Sequence, residues 1–421
     1  MKRKSIQVTL IFLISTVIQV LSNIVLTRLF GTSLEYSHFL AAVTLPTIFV
    51  TVIYGTLNDA LLPLYGEKLA NKDNDTDKFF FTQLNTLSLL SIFVAIMLNL
   101  LASPIMKQIF GQSNLSQSTL TNMFVVLNLA IPFSVIASIL GMRLYAHKHF
   151  SRFPLAQLIG SVANLILVLV LFKSLGVWGL IYSFVISIII QIFFVLPNKF
   201  QFKLGNIAST LALWVPLVVG IVALKCDSLI IRTFSSQLNP DSIIYHNLIS
   251  KVCSLSAGLI TIGIQILFLP NIIEKITQKD YQKTIDTVNK VKLSAIVLSL
   301  GLVGLIYFVS PFFIKILFVG GKFTSSDFNN AIVLLPYYLL PVLGWGIISV
   351  FLQPLYALKK HLQVGLLNTG SFAIAWLVAS NISMASPNLA ISVGLSILLF
   401  GSIIGSEILW QYSFNKLKNN K

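Results

Sequence analysis

Twelve apolar runs, at about 7–29, 38–65, 79–103, 119–145, 154–172, 176–197, 209–232, 243–270, 293–317, 329–357, 363–381 and 388–412, divide this chain of 421 residues. A run of roughly 20 apolar residues is what an α-helix needs to cross about 30 Å of hydrocarbon. Lipid offers backbone polar groups no partners, and a helix satisfies its own. The runs lack the short alternation of membrane barrel strands. Residues are 56% hydrophobic and 10% charged, against about 25% charged in a soluble domain. The connections are short, so no soluble domain is expected beside the spans. The pattern predicts an all-α polytopic membrane protein.

The net charge of +16 is mainly a topology signal. Twelve spans put both termini on one side. Placing them in the cytosol leaves most of the 29 Lys and Arg there, as the positive-inside rule requires. Lys107, Lys173, Lys315 and Lys322 then fall in outer connections, and Arg28, Lys225, Arg232 and Lys251 in or near the membrane. The predicted location is a bacterial inner membrane, with membrane lipids as neighbours and no nucleic acid partner. Lys2, Arg3 and Lys4 precede a first run too long for a signal sequence and without a clear cleavage site, so it reads as a retained helix.

The chain repeats itself. LLPLYGEKLANKD at 61–73 returns as FLPNIIEKITQKD at 268–280, matching Leu62/Leu269, Pro63/Pro270, Glu67/Glu274, Lys68/Lys275, Lys72/Lys279 and Asp73/Asp280. Three more marks recur in the same order: Arg28-Leu29-Phe30 with Arg232-Thr233-Phe234, Ser103-Pro104 with Ser310-Pro311, and LYAHKHF at 144–150 with LYALKKH at 355–361. Six spans per half is an even number, so the copies are parallel. The expected domains are two six-helix lobes, 1–203 and 204–421, around a central cavity. Pro63 and Pro270 are expected to end the second helix of each half, and each Ser-Pro the third. Pro46, Pro132, Pro336 and Pro341 are expected as bends.

Ionisable groups inside a span are costly and mark function by default. Lys225 and Arg232, seven residues apart, share a face of an unbroken helix, with Asp227 nearly opposite Lys225. With Arg28 and Lys251 they make four cations, candidates for binding an anionic group such as a pyrophosphate; headgroup snorkelling and carboxylate pairing are the plainer alternatives. Asp227 and Asp59 are candidate charge partners, and Glu407 beside Trp410 reads as interfacial and structural. Cys226 and Cys253 lie in apolar runs and suggest neither a disulfide nor a metal. His147 and His149 read as a solvated basic face. There is no Walker loop, and no enzyme, cofactor or metal is expected.

Three stretches carry a family resemblance. RLFGTSLEYSHFLAAVTLPTIFVTVIYGTLNDALLPLYGE resembles the first two helices of the MurJ (MviN) lipid II flippases of the multidrug/oligosaccharidyl-lipid/polysaccharide exporter superfamily. YHNLISKVCSLSAGLITIGIQILFLP resembles that family's helix eight, and LFVGGKFTSSD at 317–327 its loop after helix nine. The resemblance implies translocation of a lipid-linked saccharide by alternating access, with a coupling ion or the membrane potential as driving force. Lys251 falls where the family has an arginine, and Arg28 matches its basic residue before Phe-Gly. Ser22-Asn23, Ser37, Val50 and Thr51 replace charged family residues, and the family's two further C-terminal helices have no counterpart here; these departures bear on substrate choice. The rival expectations are a cation-coupled multidrug exporter, which calls for an acidic cavity, and a non-transporting scaffold in glycan assembly, which tolerates lost site residues.

Overall fold

The computed structural model describes residues 2–71, 75–197, 199–278 and 280–419. Each apolar run becomes one helix or a broken pair of helices. In the first half these are α1 (Lys2–Phe30), α2 and α3 (Leu34–Ala42, Thr44–Ala70), α4 and α5 (Thr76–Leu100, Ala102–Phe110), α6 and α7 (Gln117–Leu127, Ala130–Ala146), α8 (Arg152–Leu175) and α9 (Val177–Phe193). In the second half they are α10 and α11 (Ala208–Lys225, Asp227–Ser235), α12 (Pro240–Thr277), α13 (Tyr281–Phe318), α14 and α15 (Ser325–Ile332, Pro336–Ala357), α16 (His361–Ser383) and α17 (Pro387–Asn419). Ten helical segments among the described residues are long and apolar enough to cross a membrane. Of the remaining two runs, one is α9, a shorter apolar helix of 17 residues. The other falls on α12, where many side chains beyond Gly258 lie outside the described residues.

The chain divides into two compact units, Met1–Val218 and Val219–Lys421, the division falling inside α10. Side-chain hydrogen bonds show how α10 divides. Trp214 Nε1 donates to Thr56 Oγ1 (2.7 Å) and Thr210 Oγ1 to Gln83 Oε1 (2.8 Å) in the first unit. In the second, Asn368 Nδ2 donates to Gly220 O (2.9 Å). A Cβ on Gly365 would stand 2.8 Å from Gly220 N, so only glycine lets α10 and α16 approach this closely, the small-residue packing that membrane helices favour.

The repeated LYA motif is a helix stop. In the first unit Lys148 adopts φ 63°, its N–H donates to Tyr145 O (2.9 Å), and His149 N–H donates to Leu144 O (2.8 Å). In the second Lys359 adopts φ 58°, with Lys359 N–H on Tyr356 O (3.0 Å) and Lys360 N–H on Leu355 O (3.0 Å). This is the Schellman arrangement, which pairs the last carbonyls of a helix. Both units also break their fourth span at the same stage, between α6 and α7 and between α14 and α15.

The prolines behave otherwise than expected. Pro63 lies inside α3, and α12 continues seven residues past position 270, so neither proline ends its helix. Leu101 does separate α4 from α5, whose first turn holds Pro104, but α13 runs through Pro311 without a stop. A proline removes one helical donor, and in a membrane helix neighbouring groups can re-satisfy the freed carbonyl. Pro46, Pro132 and Pro336 sit in the first turn of α3, α7 and α15, where a missing N–H costs nothing. Of the four expected bends only Pro341 is interior. Lys72, Asp73 and Lys279 of the opening repeat lie outside the described residues.

The loop GGKFTSSD is built by conformation and capping. Gly320 and Gly321 take φ 139° and 61°, Phe323 is buried, and Gly320 and Phe323 pair as a single antiparallel bridge. Thr324 and Asp327 then form a reciprocal capping box that starts α14. Asp327 Oδ1 also accepts from Tyr245 OH (2.9 Å), tying α14 to α12.

Glu407 pairs with Lys292 between α17 and α13, and the ammonium lies over the rings of Phe351 (4.9 Å) and Trp410 (5.9 Å). Lys292 is 6% exposed, so Glu407 acts as a structural clamp inside the second unit. Removing one partner strands a desolvated charge. Glu407→Gln should therefore lower stability by about 2–3 kcal/mol, read as a fall in the thermal unfolding midpoint of the detergent-solubilised protein. Adding Lys292→Met should recover most of the loss. A double variant no better than the single would refute the stranded-charge account.

Candidate functional site

The second unit gathers polar side chains from three helices. Asn247, Ser250, Lys251 and Ser254 follow i, i+3, i+4, i+7 spacing on α12, which places them on one face. Asp227, Ser228, Ile231 and Arg232 form the facing stripe of α11, and Trp345 comes from α15. Together they line a cavity of about 120 Å³. Pockets for drug-sized ligands run to roughly 300–1,000 Å³, so this one suits a charged headgroup rather than a whole amphiphile.

Each charge is placed by a specific bond. Arg232, 7% exposed, donates from Nη2 to Asn247 Oδ1 (3.0 Å). One oxygen of Asp227 accepts the Ser228 N–H (2.6 Å) and the other the Trp345 Nε1–H (3.2 Å). The hydroxyls of Ser250 and Ser254 turn back on the carbonyls of Asn247 (3.1 Å) and Lys251 (3.4 Å). Two cations and one carboxylate leave the pocket net positive. Lys251 stands eleven residues into α12, about 16 Å along its axis at 1.5 Å per residue.

The neighbouring His246, fully buried, fixes α12. Its Nε2 donates to Asn388 Oδ1 of α17 (2.9 Å), which leaves Nδ1 to accept from Tyr338 OH of α15 (2.8 Å). The helices that carry Lys251 and Trp345 are thereby held together one turn from the pocket.

The candidates from the sequence are only partly assembled. Arg232, Lys251 and Asp227 share the pocket. Lys225 does not line it; it is exposed at the end of α10, where its carbonyl accepts from Ser228 Oγ (3.3 Å), and its charge acts on Asp227. The helix breaks at Cys226, so the rotation reckoned from Lys225 to Arg232 does not apply. Arg28 occupies the last turn of α1 and Asp59 an exposed position of α3, both in the first unit. Cys226 and Cys253 are buried free thiols. Asn247, Trp345 and the two serines escaped the sequence reading. The polar stripe on an otherwise apolar α12 was the available signal for all but Trp345, which only tertiary packing brings in.

Both cations should be readable by chemistry. In a Cys226→Ala/Cys253→Ala background, Lys251→Cys leaves Arg232 as the local field. A negatively charged methanethiosulfonate should then modify the new thiol several-fold faster than a positively charged one of similar size. Equal rates, or inertness to both in folded protein, would remove the case for a water-accessible cationic pocket.

The family model of the lipid II flippase MurJ matches residues 26–418. No curated protein matches the sequence. Among solved structures, a lipid II flippase MurJ in an inward closed conformation is similar at TM-score 0.79 and 19% identity, covering 99% of this chain and 90% of that one. An inward-facing multidrug resistance MATE family transporter of the MOP superfamily follows at 0.77 and 12%, covering 96% of each chain. A MOP superfamily transporter from Pyrococcus furiosus, described by the reversed polarity of its binding pocket, gives 0.65 and 12%, covering 98% and 96%. At these identities the structural likeness speaks to fold.

Proposed function

The chain belongs to the MurJ lipid II flippase family, and we propose that it translocates lipid II, or a closely related polyprenyl-pyrophosphate-linked saccharide, across a bacterial inner membrane. The observation that carries this reading is the net-positive pocket of α11, α12 and α15. A pyrophosphate brings its charge into a region poor in water, and Arg232 and Lys251 offset it there. Arg presents a planar donor fork to phosphate oxygens, and Lys a mobile point charge. Asn247 pins the Arg232 guanidinium, so less side-chain freedom is lost on binding.

Asp227 is the internal counter-charge, with Lys225 beside it in sequence. Arg28 and Lys225, exposed at helix ends, act as outlying cations that attract the headgroup, and Asp59 as a partner to such charge in the first unit. Both termini face the cytosol in this proposal, since that orientation keeps most Lys and Arg inside. The driving force then includes the membrane potential. Moving one charge through 100 mV is worth about 2.3 kcal/mol, and an inside-negative potential pushes a dianionic headgroup outward.

The multidrug reading calls for a pocket that prefers cations, and this pocket has two cations to one carboxylate. The scaffold reading expects substitutions at Lys251 to matter only through folding.

A substitution series separates these readings. A charge-assisted hydrogen bond is worth roughly 1.5–3 kcal/mol, so Lys251→Ala should cut lipid II binding or transport in proteoliposomes about ten- to a hundredfold. Lys251→Arg should retain much of the activity, and Lys251→Glu should fall below Lys251→Ala. Lys173→Ala, at an exposed position in the last turn of α8, should change little. Transport by Lys251→Ala equal to the parent at equal expression would overturn the proposal.

A further inference from the structure

A second basic cavity, of about 380 Å³, lies within the first unit at the helix stop of α7. Its charged lining is Arg143, His147, His149, Arg152, Lys199 and a single carboxylate, Asp77. Leu196 and Pro197 add an apolar edge. We propose that this cavity is a binding site for a phosphate-bearing anion, separate from the pocket around Lys251.

The cavity is held open by structure. Arg143 Nη2 reaches Asp77 Oδ1 (3.4 Å) while its guanidinium lies over the ring of Phe80 at 4.6 Å. Tyr65 OH is 3.4 Å from His147 Nε2. The left-handed Lys148 reverses the chain, so His147 and His149 line the cavity and Lys148 does not. Phosphate recognition uses such a set: a stacked, oriented guanidinium with further cations converging from other segments.

The repeat shows that the charges of Arg143 and His147 are not needed to build the turn. The second unit closes the same Schellman stop with Pro354 at the position of Arg143 and Leu358 at that of His147. A fold requirement would appear in both copies. Arg143 also has a packing role, through Asp77 and Phe80, as His147 has through Tyr65. Arg152 and Lys199 are exposed, and no carboxylate pairs with either among the described residues.

The charge set also gives the site a pH sense. Partial burial, with Arg143 and His149 nearby, holds the His147 imidazole below its usual pKa, and Asp77 opposes this. Tyr65 from α3, Asp77 from α4, Arg143 and His149 at the end of α7, Arg152 at the start of α8 and Lys199 after α9 are the groups around it. A bound anion favours the imidazolium, so binding takes up a proton and affinity rises as pH falls toward the histidine range.

The test uses the full-length protein in nanodiscs, with inorganic pyrophosphate titrated by calorimetry. Against Lys251→Gln, which removes a cation from the other pocket, the double variant Arg152→Gln/Lys199→Gln should bind at least tenfold more weakly at this site. The thermal midpoint of the double variant should match the parent, since both side chains are exposed. Sulfate, whose charge is constant between about pH 5.5 and 8, should bind more tightly at the lower pH, and His147→Ala should flatten that slope. If the natural anion is a lipid headgroup, discs containing phosphatidylglycerol should compete with pyrophosphate and discs of phosphatidylcholine should not. If it is a soluble phosphate compound, both discs should give the same affinity. Pyrophosphate and phosphatidylglycerol binding unchanged in Arg152→Gln/Lys199→Gln, or no binding of either to the parent, would overturn the proposal.

Discussion

A backbone amide in hydrocarbon must be paired by its own chain, and the rest of this structure follows from that demand. It makes each apolar run a helix and leaves function to the places where the ladder is interrupted. Cys226 is one such place. There α10 stops and α11 begins, and the restart puts Asp227 in the first turn of a new helix, where its carboxylate accepts the Ser228 N–H. An acid at a helix start also meets the favourable end of the helix dipole. The interruption therefore stabilises the one carboxylate of the pocket, and α11 then delivers Arg232 one turn and a half further on. An unbroken helix would have delivered neither in this geometry.

Duplication explains the scaffold, and divergence explains the chemistry. The two copies share the LYA stop, the arginine in the last turn of their first span and the interruption of the fourth span. Their charged cavities differ. The second unit puts Asn247 and Lys251 on α12, where the corresponding stretch of the first unit, about 39–44, is Phe-Leu-Ala-Ala-Val-Thr. The first unit instead puts Arg143 and His147 at a stop that its copy builds with Pro354 and Leu358. A residue that one copy needs and the other omits cannot owe its presence to the shared fold.

This contrast also marks what could be read before the structure. Span positions, helical class and the repeat follow from hydropathy and from marks such as LYAHKHF, since lipid leaves the backbone few choices. Lys251 and Arg232 stood out because a cation in a span is costly. Helix continuity was not legible. Pro63 looks like a stop and is passed, whereas Cys226 looks innocuous and breaks the helix. Whether a helix survives a proline depends on what neighbouring helices offer its freed carbonyl, and a one-dimensional pattern holds no such information. For the same reason His147 and His149 read as a solvated face, although Asp77, Arg152 and Lys199 come from other helices and loops to complete a cavity around them.

The positions where charged family residues are replaced acquire a physical sense in the first unit. Val50 packs with Ala130 and Ile188 in a small apolar cluster. Ser37 is fully buried, with its hydroxyl directed to Ser33 O (3.4 Å), and the Asn23 amide donates to Gln19 O (2.9 Å). These side chains are absorbed into packing or their own helices. Under the proposed function, the pocket of the second unit would then carry a larger share of substrate charge. Arg232, pinned by Asn247, and Lys251 line the same 120 Å³ cavity, so two like charges lie close together. Under the proposed function, an anion entering there would be drawn by both cations and would lessen the repulsion between them. Release of such a headgroup would then require water or another ion to reach the two cations, and Asp227, fixed by Trp345 and Ser228, could draw a cation there but could not replace the anion.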